Sequence, residues 1–185
     1  MSLHQATYVY TQLMTHATSL PNAELFAKIL ASQATGIGSL PADLGLGEQT
    51  FSALLVCYFH GTKPTPLFVV PSLVPSRRTE WEELTTLLLE HRAGISFSEQ
   101  WLAKIVATAC MGGNHLWQDL GLWSRNDVTD LMTNNFPTLA ANNRADMKWK
   151  KFLYKQLCQR EGIYICRAPS CEDCTDYSYC FGAEG

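Results

Sequence analysis

A twenty-residue segment occurs twice in this chain, and the repeat restricts the fold more than any other feature of the sequence. Residues 27–46, AKILASQATGIGSLPADLGL, align without a gap on residues 103–122, AKIVATACMGGNHLWQDLGL. Ten of the twenty positions are identical, where chance predicts about one. The repeat predicts two similar helical units, over about 22–61 and 98–137, packed as a pseudo-symmetric pair.

Apolar residues recur at helical spacing and strict alternation is rare, so we predict an all-α fold. Each unit should contain two helices, a corner with the sequence DLGL and a third helix. An Asp or a following Ser, Gly or Glu should cap the helix after each corner, and Ser98 is a candidate cap for the helix that it begins. The proline-rich residues 61–76 should form an extended connection. Helices are expected at about 3–18, 21–36, 48–59, 78–92, 98–110, 124–134 and 144–159.

The expected architecture is one bundle-like domain over residues 1–162, ending in a C-terminal helix, followed by an irregular cysteine-rich loop over 163–185. Positions identical or similar in both copies should serve packing. These positions are Ala27, Ile29, Leu40 and Leu44 with their partners Ala103, Ile105, Leu116 and Leu120.

Composition and charge exclude several classes of protein. Apolar residues make up 46% of the chain, which is enough for a sizeable core. The longest apolar run is residues 53–59, too short for a membrane span, and the N-terminus lacks the pattern of a secretory signal. The net charge of −3 argues against bulk binding of nucleic acid or anionic membranes. We therefore expect a cytoplasmic protein with neither partner.

Cysteines are concentrated at the C-terminus, where Cys166, Cys171, Cys174 and Cys180 have the spacing C-x4-C-x2-C-x5-C. Four thiolates in so short a segment favour an iron–sulfur cluster, with a structural zinc site as the alternative and a disulfide pair disfavoured. Cys158 is either a small buried residue or an extra ligand. Cys57 lies in an apolar helical pattern and is expected in the core.

The two copies differ where the second carries metal-binding side chains. Cys110 aligns with Ala34, His115 with Ser39 and Trp117 with Pro41. The second corner has therefore gained a thiol, an imidazole and an indole, and His115 is the main functional candidate there, with Cys110 behind it. The alternative is that His115 caps a turn. Trp117 and Trp149 should be ordinary core aromatics, with shielding of a cluster as the alternative.

Half of the Lys and Arg residues lie between Arg144 and Arg167, a segment that carries a net charge of +5. Such a segment can attract an oxyanion or an acidic partner, or it can be a solvated helix face. The candidates for anion or partner binding are Lys148, Lys150, Lys151, Lys155 and Arg167.

The segment MKWKKFLYKQLCQREGIYICRAPSCEDCTDYSYCFG, with GGNHLWQDLGLWSR and NNFPTLAANN before it, closely resembles the NifQ family of nitrogen-fixation proteins. That family donates molybdenum to assembly of the iron–molybdenum cofactor of nitrogenase and carries an iron–sulfur cluster that can incorporate molybdenum. The resemblance implies four cluster ligands, which are Cys166, Cys171, Cys174 and Cys180. The cluster would be of the 4Fe-4S type or a mixed Mo-Fe-S type. Molybdenum in such a cluster would need a further ligand, for which His115 is the candidate, as ligand or near neighbour, followed by Cys110 and Cys158. The implied partners are the cofactor-assembly scaffold, the nitrogenase iron protein and molybdate or another molybdenum source.

Two other functions remain open at this point. Some helical DNA-repair proteins end in a similar four-cysteine loop, but they need a basic body and a glycine-rich hairpin. The only candidate hairpin here is TGIGSL at residues 35–40. A zinc-stapled interaction module is the other alternative. Because the chain has no Ser/His/Asp set, P-loop or Rossmann fingerprint, we expect a metal carrier rather than an enzyme. Without its cluster, the chain should loosen after about Gly162.

Overall fold

A computed structural model describes residues 3–61 and 77–160, and the regular elements of these residues are helices. This confirms the all-α prediction. None of the described helices is both long and apolar enough to cross a membrane. The helices are α1 (Leu3–Thr15), α2 (Ala23–Ala34), α3 (Glu48–Tyr58), α4 (Arg78–Glu90), α5 (Ser98–Cys110), α6 (Leu116–Asp119), α7 (Arg125–Asn135), α8 (Pro137–Ala140) and α9 (Trp149–Arg160).

Two short helices, α6 and α8, were not predicted, and α9 begins five residues later than the predicted start at Arg144. The late start has a local cause. The side chain of Asn143 bonds the backbone of Met147 in both directions, at 2.9 Å each, and Asp146 adopts a left-handed φ of 52°. This turn prevents the α-helix from extending back to residue 144. The connection over residues 62–76 lies outside the described residues.

The predicted caps are partly correct. Ser124 precedes α7 and its hydroxyl accepts a hydrogen bond from the backbone N–H of Asp127 at 3.2 Å, while the Asp127 carboxylate accepts from the backbone N–H of Ser124 at 2.9 Å. This reciprocal arrangement is a capping box and confirms the predicted cap. Ser98 instead is the first residue of α5, and its hydroxyl bonds Ser96 and Asn22.

The core is built around α2 and α5, which are the most deeply buried long helices in the described ranges. Eleven of the thirteen residues of α5 are buried, and nine of the twelve in α2. The eight repeat positions predicted to serve packing are all at most 3% exposed, which confirms that prediction. The prediction for Cys57 is wrong: its side chain is exposed, because α3 turns Leu54 and Tyr58 inward instead.

The glycine of each DLGL corner allows the corner of one copy to lie against a helix of the other. A Cβ on Gly45 would lie 2.2 Å from the hydroxyl of Thr108 on α5, and a Cβ on Gly121 would lie 2.7 Å from the Cβ of Ser32 on α2. Ser32 and Thr108 are themselves aligned in the repeat. The contacts are thus reciprocal, and they give a physical reason for the repeated glycine. That the two units superpose as a symmetric pair stays a prediction.

Replacing Gly45 by alanine is expected to destabilise the fold by about 2–4 kcal/mol, because it combines a left-handed backbone with overpacking. Gly45 has a φ of 79° and the close contact with Thr108. Gly61→Ala is the matched control, since Gly61 has a φ of 79° and no neighbouring atom within 4 Å. Urea unfolding followed by circular dichroism measures both. Equal losses in the two variants would show that the contact with Thr108 contributes nothing.

Candidate functional site

Cys110, His115 and Trp117, the side chains that distinguish the second copy, lie in or beside the turn between α5 and α6. A buried carboxylate accepts hydrogen bonds from the backbone and a side chain of this turn. Asp119, at the end of α6, is fully buried. Its carboxylate accepts hydrogen bonds from the backbone N–H of Asn114 at 2.9 Å and from the amide of Asn114 at 3.2 Å. A Cβ on Gly112 would lie only 2.5 Å from this carboxylate, so a glycine is needed there. The chain is thereby folded around Asp119.

Lys150 of α9 completes this arrangement. Its ammonium group donates to the Asp119 carboxylate and, at 2.9 Å, to the backbone carbonyl of Gly112. The Lys150 side chain is only 15% exposed. Lys150 was predicted as a residue for anion or partner binding, but its ammonium group is already engaged with Asp119. A buried ion pair fixes geometry because breaking it leaves an unpaired charge. Lys150 therefore attaches the start of α9 to the α5–α6 turn.

A second polar group connects α4, α5 and α9. The guanidinium of Arg77 donates to the Glu80 carboxylate at 2.8 and 2.6 Å and to the carbonyl of Met111 at 2.7 Å. The hydroxyl of Tyr154 donates to the same carboxylate. Burial and this hydrogen bond raise the pKa of Tyr154. Tyr154 therefore stays a protonated donor, and the middle of α9 is held to the start of α4.

Glu80 gives this group a pH-dependent effect on stability. The hydrogen bond from Arg77 lowers the pKa of Glu80 below its ordinary value of 4.5, against burial, which raises it. A carboxyl group with a lower pKa in the folded state stabilises the fold above its unfolded pKa, and this contribution is lost as pH falls through the folded pKa.

Glu80→Gln is therefore expected to lower the free energy of unfolding at about pH 7, and the difference from wild type should shrink towards about pH 3. Urea unfolding at the two pH values measures it. Glu82→Gln is the control, because Glu82 pairs with Arg78 on an exposed surface. A difference that is the same at both pH values would contradict the stated role of the Glu80 charge.

The candidate molybdenum ligands differ in accessibility. Cys110 is 2% exposed, and burial raises the pKa of its thiol to about 12. It is consequently protonated at neutral pH and does not present a thiolate. His115 is partly exposed and is the N-cap residue of α6, where its backbone N–H donates to the Gln118 side chain at 3.1 Å. Cys158 lies two residues before the end of α9 and is partly exposed.

The cysteines with cluster spacing lie outside the described residues, as does Arg167. Within 3–61 and 77–160, no three His, Cys, Asp or Glu side chains are grouped so as to hold a metal ion. The described part of the chain therefore does not bring His115, Cys110 and Cys158 together as one site. Among the predicted basic residues, Lys151 is exposed, and Lys148 and Lys155 are partly buried.

The aromatic residues beside the turn are packed. Trp149 is 4% exposed, its indole donates to Thr129 at 3.1 Å, and it stacks edge to face on Phe152. This confirms the prediction of a core residue. Trp117 is partly buried against the core, and its buried indole N–H has no hydrogen-bond partner among the described atoms.

The glycine-rich candidate hairpin at residues 35–40 is engaged within the protein. The backbone N–H of Ser39 donates to the carbonyl of Asp119 at 3.0 Å, and a Cβ on Gly38 would lie 3.0 Å from that carbonyl. The hairpin therefore packs against the second corner, where its glycine permits a close approach of backbones. This observation gives the hairpin a structural role.

Sequence reasoning missed the pairing of Asp119 with Lys150 and the group formed by Arg77, Glu80 and Tyr154. One signal was present: both copies keep the Asp of DLGL, although the residues before it differ. In the first copy, Asp43 accepts from the backbone N–H groups of Gly45 and Gly47 at 2.9 and 3.1 Å. The Asp of DLGL thus stabilises a local turn in the first copy, whereas in the second copy it also pairs with Lys150 of a distant helix.

Comparisons with known proteins agree on the family. The NifQ family model matches residues 25–182. The chain is 46% identical over 168 residues to Protein NifQ of Azotobacter vinelandii, covering 85% of this chain and 86% of that protein. It is 37% identical over 161 residues to Protein NifQ of Rhodobacter capsulatus, covering 86% and 87%.

Protein NifQ of Klebsiella pneumoniae is 36% identical to the chain over 156 residues, which is 79% of this chain and 90% of that protein. No solved structure matches the chain. The family match takes in the α5–α6 turn, α9 and the four C-terminal cysteines together. The chain therefore belongs to the NifQ family, and this membership supports a role in nitrogen fixation.

Proposed function

We propose that this protein binds an iron–sulfur cluster able to incorporate molybdenum and donates the molybdenum to biosynthesis of the nitrogenase iron–molybdenum cofactor. The observation that carries the proposal is the C-x4-C-x2-C-x5-C spacing, which lies wholly inside the family match. The ligands would be Cys166, Cys171, Cys174 and Cys180. Soft thiolates are the ligands that iron in a sulfide cluster prefers. The bound cluster would supply the site at which molybdenum is carried.

The described part of the chain supports this proposal by fixing the helix that leads to the cysteines. Lys150 anchors the start of α9 and Tyr154 anchors its middle. At the end of the helix, Arg160 forms a bidentate ion pair with Glu90 at 2.7 and 2.9 Å. The three anchors span about 15 Å of helix. Cys166 follows six residues after Arg160 in the sequence.

His115 is the proposed protein ligand, or close neighbour, of the molybdenum. Molybdenum at a cluster carrying only one thiolate per metal needs further ligands, and an imidazole is a suitable one. His115 is better placed than Cys110 because it is partly exposed, whereas the Cys110 thiol is buried and protonated. The hydrogen bonds around Asp119 fix the turn that holds His115. Cys158 is the remaining candidate, near the end of α9.

His115→Ala is expected to lower the molybdenum content per protein severalfold while leaving the iron content near that of wild type, since the four cysteines remain. Metal analysis after anaerobic reconstitution with iron, sulfide and molybdate measures both. His91→Ala is the matched control, because His91 is a partly exposed histidine at the end of α4. Unchanged molybdenum loading in His115→Ala would contradict the ligand role.

The function itself is tested with the full wild-type chain. Purified without oxygen, the protein should be brown and contain iron and sulfide, and should take up molybdenum from molybdate. Mixed with the cofactor-assembly scaffold and the nitrogenase iron protein, it should then lose molybdenum to the scaffold. A colourless protein that contains zinc would favour the interaction module instead, and salt-dependent DNA binding would favour the repair protein.

A further inference from the structure

The loop between α4 and α5, residues 91–97, exposes two large apolar side chains. Ile95 is 80% exposed and Phe97 is 65% exposed, and they are separated by a single serine. Exposed apolar residues that occur singly are common, but two so close on one loop form a compact apolar projection. Neither residue takes part in the candidate metal site described above.

A buried carboxylate fixes the conformation of this loop by accepting hydrogen bonds from its backbone. Glu99 is 1% exposed and accepts backbone hydrogen bonds from Gly94, Ile95 and Ser96 at 2.7, 2.8 and 2.8 Å. The ring of Phe97 lies edge to face on Trp101, with centroids 5.3 Å apart. Because the loop is already ordered, a partner that covers Ile95 and Phe97 would not have to order the backbone. Such pre-organisation is typical of protein-binding surfaces.

The loop adjoins an acidic groove between α2 and α7, with a volume of about 460 Å³. One hydrogen bond joins the loop to the groove, from the backbone N–H of Ala93 to the carbonyl of Asn135 at 2.8 Å. A second joins the groove to the residue that follows the loop, from the side chain of Asn22 to the hydroxyl of Ser98 at 3.0 Å. The charged side chains that line the groove are Glu24, Asp127, Asp130 and Lys28.

Lys28 does not neutralise the groove. Its ammonium group is shared between Glu24 and Asp127, at 3.0 Å from each, and lies over the ring of Trp123. Three carboxylates therefore face one ammonium, and Glu24 and Asp130 remain exposed to solvent. The groove is complementary to positively charged side chains. A partner that covers both the loop and the groove would therefore need an apolar area beside positively charged side chains.

This surface lies near Arg160, the last residue of α9, which precedes the four cysteines in the sequence. The loop directly follows α4, whose last residue, Glu90, pairs with Arg160 at the end of α9. A protein bound to the loop would be held close to Arg160. Transfer of a bound metal requires that donor and acceptor approach one another, so this placement is suited to an acceptor.

We propose that the α4–α5 loop and the acidic groove form the docking surface for the protein that accepts the molybdenum. The matching face of that protein should carry an apolar pocket for Ile95 and Phe97, flanked by lysine or arginine side chains that enter the groove. This inference rests on the proposed function and adds to it the location and chemistry of the contact.

The test measures binding of the full chain, loaded with cluster under anaerobic conditions, to immobilised cofactor-assembly scaffold by biolayer interferometry. Ile95→Ser/Phe97→Ser should weaken binding about 10- to 100-fold, as expected when two central apolar contacts are removed. Tyr8→Ser/Val56→Ser is the matched control, since these side chains are 67% and 70% exposed elsewhere on the molecule, and it should bind as wild type does.

A charge reversal tests the groove separately. Asp130→Lys should weaken binding about tenfold at low salt and less at about 300 mM salt, whereas Glu48→Lys, on the exposed start of α3, should have little effect. Iron and molybdenum contents and thermal unfolding of every variant are measured alongside, so that loss of folding is recognised. Sedimentation shows whether the chain pairs with itself.

The outcomes separate the two proposals. Unchanged binding by Ile95→Ser/Phe97→Ser, in experiments where wild type loads molybdenum and transfers it to the scaffold, would overturn the docking surface alone. Wild type that takes up no molybdenum would overturn the proposed function, whichever result the binding gives. A dimer that dissociates on Ile95→Ser/Phe97→Ser would assign the surface to a second copy and would also overturn the docking proposal.

Discussion

Cys174→Ser is expected to reduce the iron and molybdenum that the protein retains by more than about tenfold, because it removes one of the four proposed cluster ligands. Changes even outside a ligand shell lower metal affinity about 10- to 100-fold. A serine hydroxyl is a hard ligand that ionises far less readily than a thiol, so it does not replace the thiolate. Metal analysis and the visible absorption of the anaerobically reconstituted protein measure the loss. Cys166→Ser, Cys171→Ser and Cys180→Ser should give similar results.

Cys57→Ser is the matched control for these variants. Cys57 is an exposed cysteine on α3, outside the C-terminal group, and its replacement should leave both metals unchanged. Because the described core contains none of the four proposed ligands, far-ultraviolet circular dichroism of Cys174→Ser should show near wild-type helix content. If Cys174→Ser kept its iron and molybdenum, the assignment of the cluster to this cysteine set would be wrong.

Lys150→Met is expected to lower the free energy of unfolding by about 3–5 kcal/mol, since it leaves the fully buried Asp119 carboxylate without its ion partner. Methionine has a similar length, so loss of packing contributes little. Urea unfolding measures the change. We also expect lower molybdenum loading, because the turn that holds His115 and the start of α9 would no longer be held together.

Two further variants isolate the charge interaction. Lys151→Met changes an exposed lysine next in the chain and should have an effect within about 0.5 kcal/mol. Lys150→Met/Asp119→Asn removes both charges, while the introduced side-chain amide can still accept a hydrogen bond from Asn114, and it should recover part of the stability. If Lys150→Met were no less stable than Lys151→Met, the ion pair would not be what holds α9 to the turn.

Much of the fold could be predicted from the spacing of apolar residues along the chain and from the repeat. Helix α5 begins and ends at the residues predicted, Ser98 and Cys110, because its apolar positions recur at helical spacing. The shared positions of the repeat are buried, since a residue kept in both copies meets the same packing requirement. Cys57 shows the limit of this reasoning. An apolar run does not reveal which helix face turns inward when nearly every face is apolar.

The candidate site was predictable only in part. The spacing of the four cysteines is a local property, and the family match extends over all of them. Lys150 was identified as basic and was expected to bind an anion or a partner, whereas its ammonium group binds Asp119, 31 residues away in the chain. No local pattern distinguishes a lysine that faces solvent from one that pairs with a buried carboxylate, because the distinction depends on long-range packing.

The sequence by itself determined the all-α class, the positions of the long helices, the family and the set of thiols proposed to bind the cluster. Each of these depends on residues close together in the chain, where periodicity and spacing act directly. Only the tertiary structure decided that Cys110 is buried, that Asp119 and Lys150 join the turn to α9, and that the α4–α5 loop adjoins an acidic groove. These properties arise from contacts between residues distant in the chain, and burial and charge pairing are set by those contacts.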